Sequence, residues 1–149
     1  MTQSAKISYN RILENRPKAI EGAIRQFIHW MELLGWSPKD IYSTHVALIE
    51  ALNNAYEHGN KSDQYKKIFF YGTLTADEIS LRICDEGRGF SPQAVPDPTD
   101  RKNVLNPRGR GLFLMKKCMY SIQYKASGTE LFMKKYPSAD QDHQAKKEL

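Results

Sequence analysis

The sequence predicts an α+β fold, a two-layer sandwich whose mixed or antiparallel sheet is covered on one face by helices. Three observations carry this prediction. Apolar residues recur at spacings of three and four in two early segments: Ile20, Ile24, Phe27, Ile28, Met31 and Leu34, then Leu48, Leu52 and Ala55. Two pairs of apolar runs, KKIFFYGTLT with EISLRICD and SIQYKA with ELFMKKY, are each separated by a short turn. The resulting order is strand, two helices, two strands, loop, helix, two strands.

Each element has a local reason. AKISYN is a short candidate strand near the start. Pro17 suits the first turn of a helix and Gly35 its stop. Ser37 and Pro38 then form a fresh helix start, as N-cap and first helical residue. This second helix runs to about His58, where Gly59-Asn60 closes it. Ala76-Asp77 makes the first hairpin turn and Ser127-Gly128 the second. LFLMKKCM is a short helix between the hairpins. The segment from Glu86 to Gly111 is rich in Gly, Pro, Asp and Asn and reads as a long loop. Residues 1–137 are expected to form one domain, and 138–149 a polar, frayed tail.

Composition narrows the function. A chain of 149 residues can bury a proper core, and 40% hydrophobic with 26% charged residues is ordinary for a soluble protein. No apolar run approaches the roughly 20 residues of a membrane span, and MTQSAKISYN lacks the layout of a signal peptide. Cys84 and Cys118 lie in apolar surroundings without metal-ligand spacing, as expected of reduced core thiols in a cytoplasmic protein. The net charge of +5 suits an anionic ligand or an acidic partner. No nucleic-acid reader motif accompanies it.

The chemistry concentrates in four places. In IEALNNAYEHGN, two asparagines stand in mid-helix, where Asn is a poor helix former. Glu50 and Asn54, four residues apart, point about 40° from one another around the helix axis. Ala47 and Ala51 leave room beside them. A carboxamide oxygen suits Mg²⁺, which keeps most of its ligands as phosphates and waters. A carboxylate beside it can orient an attacking hydroxyl and take its proton. Asn53 reads as a surface residue, and His58 either closes the helix or approaches the ligand. Asp85 ends an otherwise apolar strand, where its carboxylate could accept the exocyclic amine of adenine and repel the carbonyl of guanine. Gly87 and Gly89 follow it, and glycine permits close backbone approach to a ligand. Gly109-Arg110-Gly111 opens directly into a helix, offering free amides and a positive dipole end to a phosphate. Gly128-Thr129 stands in the last hairpin.

In this order the elements resemble the GHKL ATPases. EALNNAYEHG resembles their N box, DEGRGF their G1 box, GRGLFLMK their G2 box and SGTELFM their final Gly-Thr element. The nearest branch is the anti-sigma-factor serine/threonine kinases of the RsbW type, over about Pro38 to Tyr136. The resemblance implies the Bergerat ATP-binding fold, with ATP and Mg²⁺ as cofactors. It implies phosphorylation of a serine or threonine on an anti-sigma-factor antagonist protein, which competes with a sigma factor for the kinase, and a homodimer. By position it makes Glu50 the catalytic base, Asn54 the magnesium ligand, Asp85 the adenine reader, and Gly87 and Gly89 the shapers of its pocket. Gly109 and Gly111, with Arg108, Arg110 and Leu112 beside them, match the phosphate-binding segment, and Thr129 the hydroxyl near the adenine. Some members carry an arginine where this chain has Pro107, which leaves the terminal phosphate to Arg108 or Arg110.

Three readings stay open on sequence: a protein kinase, a nucleotide-gated partner-binding module with little or no phosphotransfer, and a nucleic-acid binder. The retained Glu50 favours the first, because pure binding needs no base. The segment Ser91–Arg108, with Pro96, Pro98 and Pro107 and the cations Arg101, Lys102 and Arg108, is expected to order over the triphosphate.

Overall fold

The structure, a computed structural model, describes residues 5–89 and 107–138 and, of 107–109, the backbone only. The expected closing segment over the triphosphate lies largely outside the described residues, as does the polar tail from residue 139.

Five strands form one sheet in the order β1-β2-β3-β5-β4, with every neighbouring pair antiparallel. They are β1 (Ile7–Glu14), β2 (Lys67–Leu74), β3 (Ile79–Asp85), β4 (Ser121–Lys125) and β5 (Glu130–Lys135). Three helices, α1 (Pro17–Leu33), α2 (Pro38–Asn54) and α3 (Pro107–Cys118), complete the described secondary structure together with two short turns of helix. The core lies between sheet and helices. Phe27 of α1, Tyr9 of β1 and Phe70 of β2 meet edge to face there, with centroids 5.0–5.7 Å apart. Alternation along β2 and β3 sends Ile68, Phe70, Ile79, Leu81 and Ile83 into this core. Partly exposed Phe69, Tyr71, Arg82 and Phe132 occupy the opposite face, where Arg82 lies over the rings of Tyr71 and Phe132.

The helix signals act as expected. Arg16 is extended before Pro17, and Gly35 at φ 85° ends α1. Ser37 caps α2 by accepting the Asp40 amide at 3.2 Å. Three boundaries differ from expectation. β1 runs on to Glu14 because it pairs with β2 along its whole length, Glu14 lying opposite Lys67. α2 gives way at Ala55 to a wider π-helical turn, Ala55–Gly59. α3 begins at Pro107, so Gly109 and Gly111 fall inside its first turns rather than ahead of it.

A buried ion pair fastens the far end of α2 to β5. Asp40 and Lys135 are each 2% exposed, and Lys135 Nζ stands 3.8 Å from Asp40 Oδ1. Ser138 binds the same carboxylate through its hydroxyl and, at 3.0 Å, through its amide. Burial alone would raise the Asp40 pKa, but the hydrogen bonds from Ser138 and Ser37 and the charge of Lys135 hold it below the usual carboxylate value. At Lys135 burial outweighs the charge of Asp40 and pushes the pKa down; its Nζ also donates to the Cys118 carbonyl at 2.7 Å.

Candidate nucleotide-binding site

The last two turns of α2, the π-turn, the end of β3, the start of α3 and the β4–β5 turn converge where β3 ends and β5 begins. Small residues let them do so. Glu50 and Asn54 project from α2 towards α3, and Gly111 is the residue that meets them. A Cβ placed on Gly111 would stand 2.7 Å from Glu50 Oε2 and 3.4 Å from Asn54 Nδ2. The i, i+4 spacing read from sequence therefore does bring a carboxylate and a carboxamide to one place, with a glycine of the G-x-G pair against them.

The second contact forms around Asp85. Its backbone amide donates to the Thr129 carbonyl at 3.0 Å, tying the strand end to the last hairpin. Its Oδ1 accepts the Gly87 amide at 2.8 Å, which orients the carboxylate. Gly59, from the π-turn, packs directly on that carboxylate: a Cβ there would lie 2.3 Å from both Cγ and Oδ2. A Cβ on Gly87 would lie 1.9 Å from the Gly59 carbonyl oxygen. No side chain larger than hydrogen fits at either position without movement.

The third contact closes the opposite side. Gly89 has φ 82°, and a Cβ on it would lie 1.9 Å from the Ser127 carbonyl oxygen. The β4–β5 turn itself is left-handed at Ala126, Ser127 and Gly128, with φ of 51°, 57° and 91°. Thr129 follows it, its hydroxyl donating to the Ala126 carbonyl at 2.8 Å. Arg110 is exposed on α3, and Leu112 packs against the core from its partly buried position. Of Arg108 and Gly109 only the backbone is described.

Ala51, Asn54, Ala55, Asp85, Tyr124 and Thr129 are among the residues that line the resulting cleft. Its volume is about 20 Å³, far below the roughly 300 Å³ at which small-molecule pockets begin. A larger groove of about 520 Å³ runs between α1 and α2, lined by Ile24, Ile28, His29, His45 and Ile49. The small cleft is nevertheless the one that gathers Asn54, Asp85, Gly89 and Thr129, and chemistry rather than volume selects it.

One glycine of this site escaped the sequence reading as a site residue. Gly59 looked like a helix stop. That reading is locally correct, but the contact that makes it part of the cleft is tertiary. Asn53, read as a surface residue, is exposed.

Comparison with known proteins finds a matching family and similar chains. Residues 13–135 match the family described as histidine kinase-like ATPase domain. The chain is 30% identical over 104 residues to the serine/threonine-protein kinase BtrW of Bordetella bronchiseptica, covering 66% of this chain and 73% of that one. It is 30% identical over 110 residues to the serine-protein kinase RsbW of Staphylococcus aureus, covering 68% and 69%.

Proposed function

The chain belongs to the histidine kinase-like, or GHKL, ATPase family, and from that premise we propose that it is an ATP-dependent protein serine/threonine kinase that acts as an anti-sigma regulatory factor. In this reading it phosphorylates an anti-sigma-factor antagonist and sequesters a sigma factor, as a homodimer. The names of the two relatives described above support the kinase activity.

The residues fit the substrate and its metal. Asp85, already oriented by the Gly87 amide, would present an acceptor to the adenine amine, and the absence of side chains at Gly59 and Gly87 lets the backbone pack directly around its carboxylate. Asn54 would hold Mg²⁺, an ion satisfied by few protein oxygens. When bound, that ion draws charge from the phosphates. The free amides of the first turn of α3, which includes Gly109, would face phosphate oxygens with the favourable end of the helix dipole, while Gly111, the fifth residue of α3, contributes close approach rather than a free amide. Glu50 then takes the proton of the attacking serine or threonine hydroxyl. That oxygen bonds to the terminal phosphorus, the bond from phosphorus to the bridging oxygen breaks, and ADP leaves.

The observation that carries phosphotransfer, rather than binding alone, is Glu50. It stands beside Asn54 and against Gly111, where a terminal phosphate and an incoming hydroxyl would meet. Adenine recognition uses Asp85 and the metal uses Asn54, so a nucleotide-gated binding module has no use for a carboxylate there. Incubation with Mg-ATP and a candidate antagonist, read by phosphoserine or phosphothreonine mass spectrometry, tests the proposal. Phosphate on the antagonist is expected. Nucleotide-dependent complex formation without phosphate would favour the binding module.

A further inference from the structure

Asn60 follows the π-turn and is completely buried. Its carboxamide joins three separate segments. Oδ1 accepts the Glu86 amide at 2.8 Å, while Nδ2 donates to the Lys67 carbonyl at 2.9 Å and to Asn15 Oδ1 at 3.0 Å. The orientation is forced. The Glu86 amide can only donate and the Lys67 carbonyl can only accept, so a flipped carboxamide would lose both bonds. Asn15 is itself 3% exposed, and its Nδ2 donates to the Asp63 carbonyl at 3.0 Å. The two carboxamides thus form a buried polar hub at the end of β1, beside the adenine side of the cleft.

The hub reaches the base-reading residue through chain neighbours on two sides. Glu86 is the neighbour of Asp85, and Gly59, the neighbour of Asn60, packs on the Asp85 carboxylate. Three successive amides fix this piece of chain: Asp85 to the Thr129 carbonyl, Glu86 to Asn60 Oδ1, and Gly87 to Asp85 Oδ1. The middle acceptor is supplied by a side chain from a different element. It ties the residue after the π-turn to the strand end, beside the pairing of Asp85 with Ile68 and the bond from the Lys67 amide to the Glu86 carboxylate at 2.7 Å. Glu50 and Asn54 lie earlier, on α2, and make no part of the hub.

We propose that Asn60, braced by Asn15, is a positioning residue for base selection: it holds the peptide that carries Asp85, and so sets the preference for adenine over guanine nucleotides. This rests on the reading of Asp85 given under the proposed function. Losing the Glu86 anchor frees the Asp85 carboxylate to turn, and an acceptor that turns no longer repels the guanine carbonyl or pairs with the adenine amine at full strength.

Dissociation constants for Mg-ATP and Mg-GTP, measured by calorimetry on the full chain, test the proposal, together with KM and kcat for ATP. Asn60→Ala should cut the ratio of ATP to GTP affinity by about tenfold or more, raise KM for ATP, and leave kcat at saturating ATP within about threefold. Asn60→Asp keeps the acceptor for the Glu86 amide but sets oxygen against the Lys67 carbonyl, and should shift the ratio in the same direction by less. A purely structural role would lower the melting temperature and leave the ratio alone. A folded Asn60→Ala protein with the wild-type ratio overturns the proposal. If that variant does not melt cooperatively, Asn60→Asp and Asn15→Ala are read in its place, and failure of all three to fold assigns the hub to folding alone and also overturns it. Asp85→Asn is measured alongside. If it leaves the ratio intact, the adenine-reading assignment has failed. If it collapses the ratio and a folded Asn60→Ala protein does not, only the positioning role has failed.

Discussion

Gly111 lies against Glu50 so closely that a Cβ on it would stand 2.7 Å from the carboxylate. A helix interior ordinarily disfavours glycine by about 0.5–1 kcal/mol relative to alanine, so its presence in α3 is a local cost with a site-level reason. Two helices approach here with only a hydrogen between backbone and carboxylate.

Gly111→Ala should therefore separate activity from stability. The added methyl displaces Glu50 or tilts α3, and misplacing a catalytic group by about 1 Å can cost about 10²-fold in rate. Phosphotransfer should fall by at least about tenfold, while the gain in helix propensity keeps the melting temperature close to that of the wild type. Turnover measured beside a thermal melt checks this. An active Gly111→Ala protein would show that α3 stands elsewhere during catalysis.

Gly59→Ala should act on the base rather than on the phosphates. The new methyl would meet the Asp85 carboxylate at 2.3 Å and force it out of line. A hydrogen bond to a charged group contributes roughly 1.5–3 kcal/mol, so ATP affinity should drop by about tenfold or more. GTP, a weak ligand of the wild type in this account, should lose less. Competition titration with both nucleotides reads the difference.

The buried Asp40–Lys135 pair predicts a pH signature. Asp40 has a lowered pKa in the folded state, so its contribution to stability is present above the unfolded carboxyl value of about 3.9 and is lost as the pH falls through the lower folded value. Asp40→Asn should remove that part of the acid limb. At neutral pH it leaves Lys135 buried without its counter-charge, a change that costs about 3–5 kcal/mol. Because burial already lowers the Lys135 pKa, the variant should regain stability as the pH rises towards the unfolded lysine value of about 10.4. Chemical denaturation at pH 3, 7 and 10 tests both limbs, and equal loss at pH 7 and pH 10 would contradict the account of Lys135.

Much of the fold was legible because its signals are local. Pro17, Gly35, Ser37 and the alternating runs of β2 to β5 each state their structure within a few residues. The candidate site was legible where spacing on one element suffices, as with Glu50 and Asn54, and where glycines flank a strand end. Contacts between elements were not. Gly59-Asn60 reads as a helix stop and Asn15 carries no signal of its own, because only the folded chain brings Glu86, Lys67 and Asp63 to them. The start of α3 at Pro107 was misjudged for a related reason. Two glycines within five residues argue against a helix locally, and packing of α3 on α2 overrides that preference.

Glu50→Gln carries the central claim, that the chain is a kinase rather than a nucleotide-gated binder. The amide keeps the size and polarity of the side chain but cannot take a proton, and general-base catalysis is worth about 10²–10⁴-fold. The decisive measurement is transfer of labelled terminal phosphate to an antagonist protein by wild type and variant, with Mg-ATP affinity measured on the same samples. The account predicts near-equal affinity and a transfer rate at least about 10²-fold lower in the variant. Equal transfer rates would remove Glu50 from the chemistry, and no transfer by the wild type to any antagonist it binds would contradict the kinase reading itself.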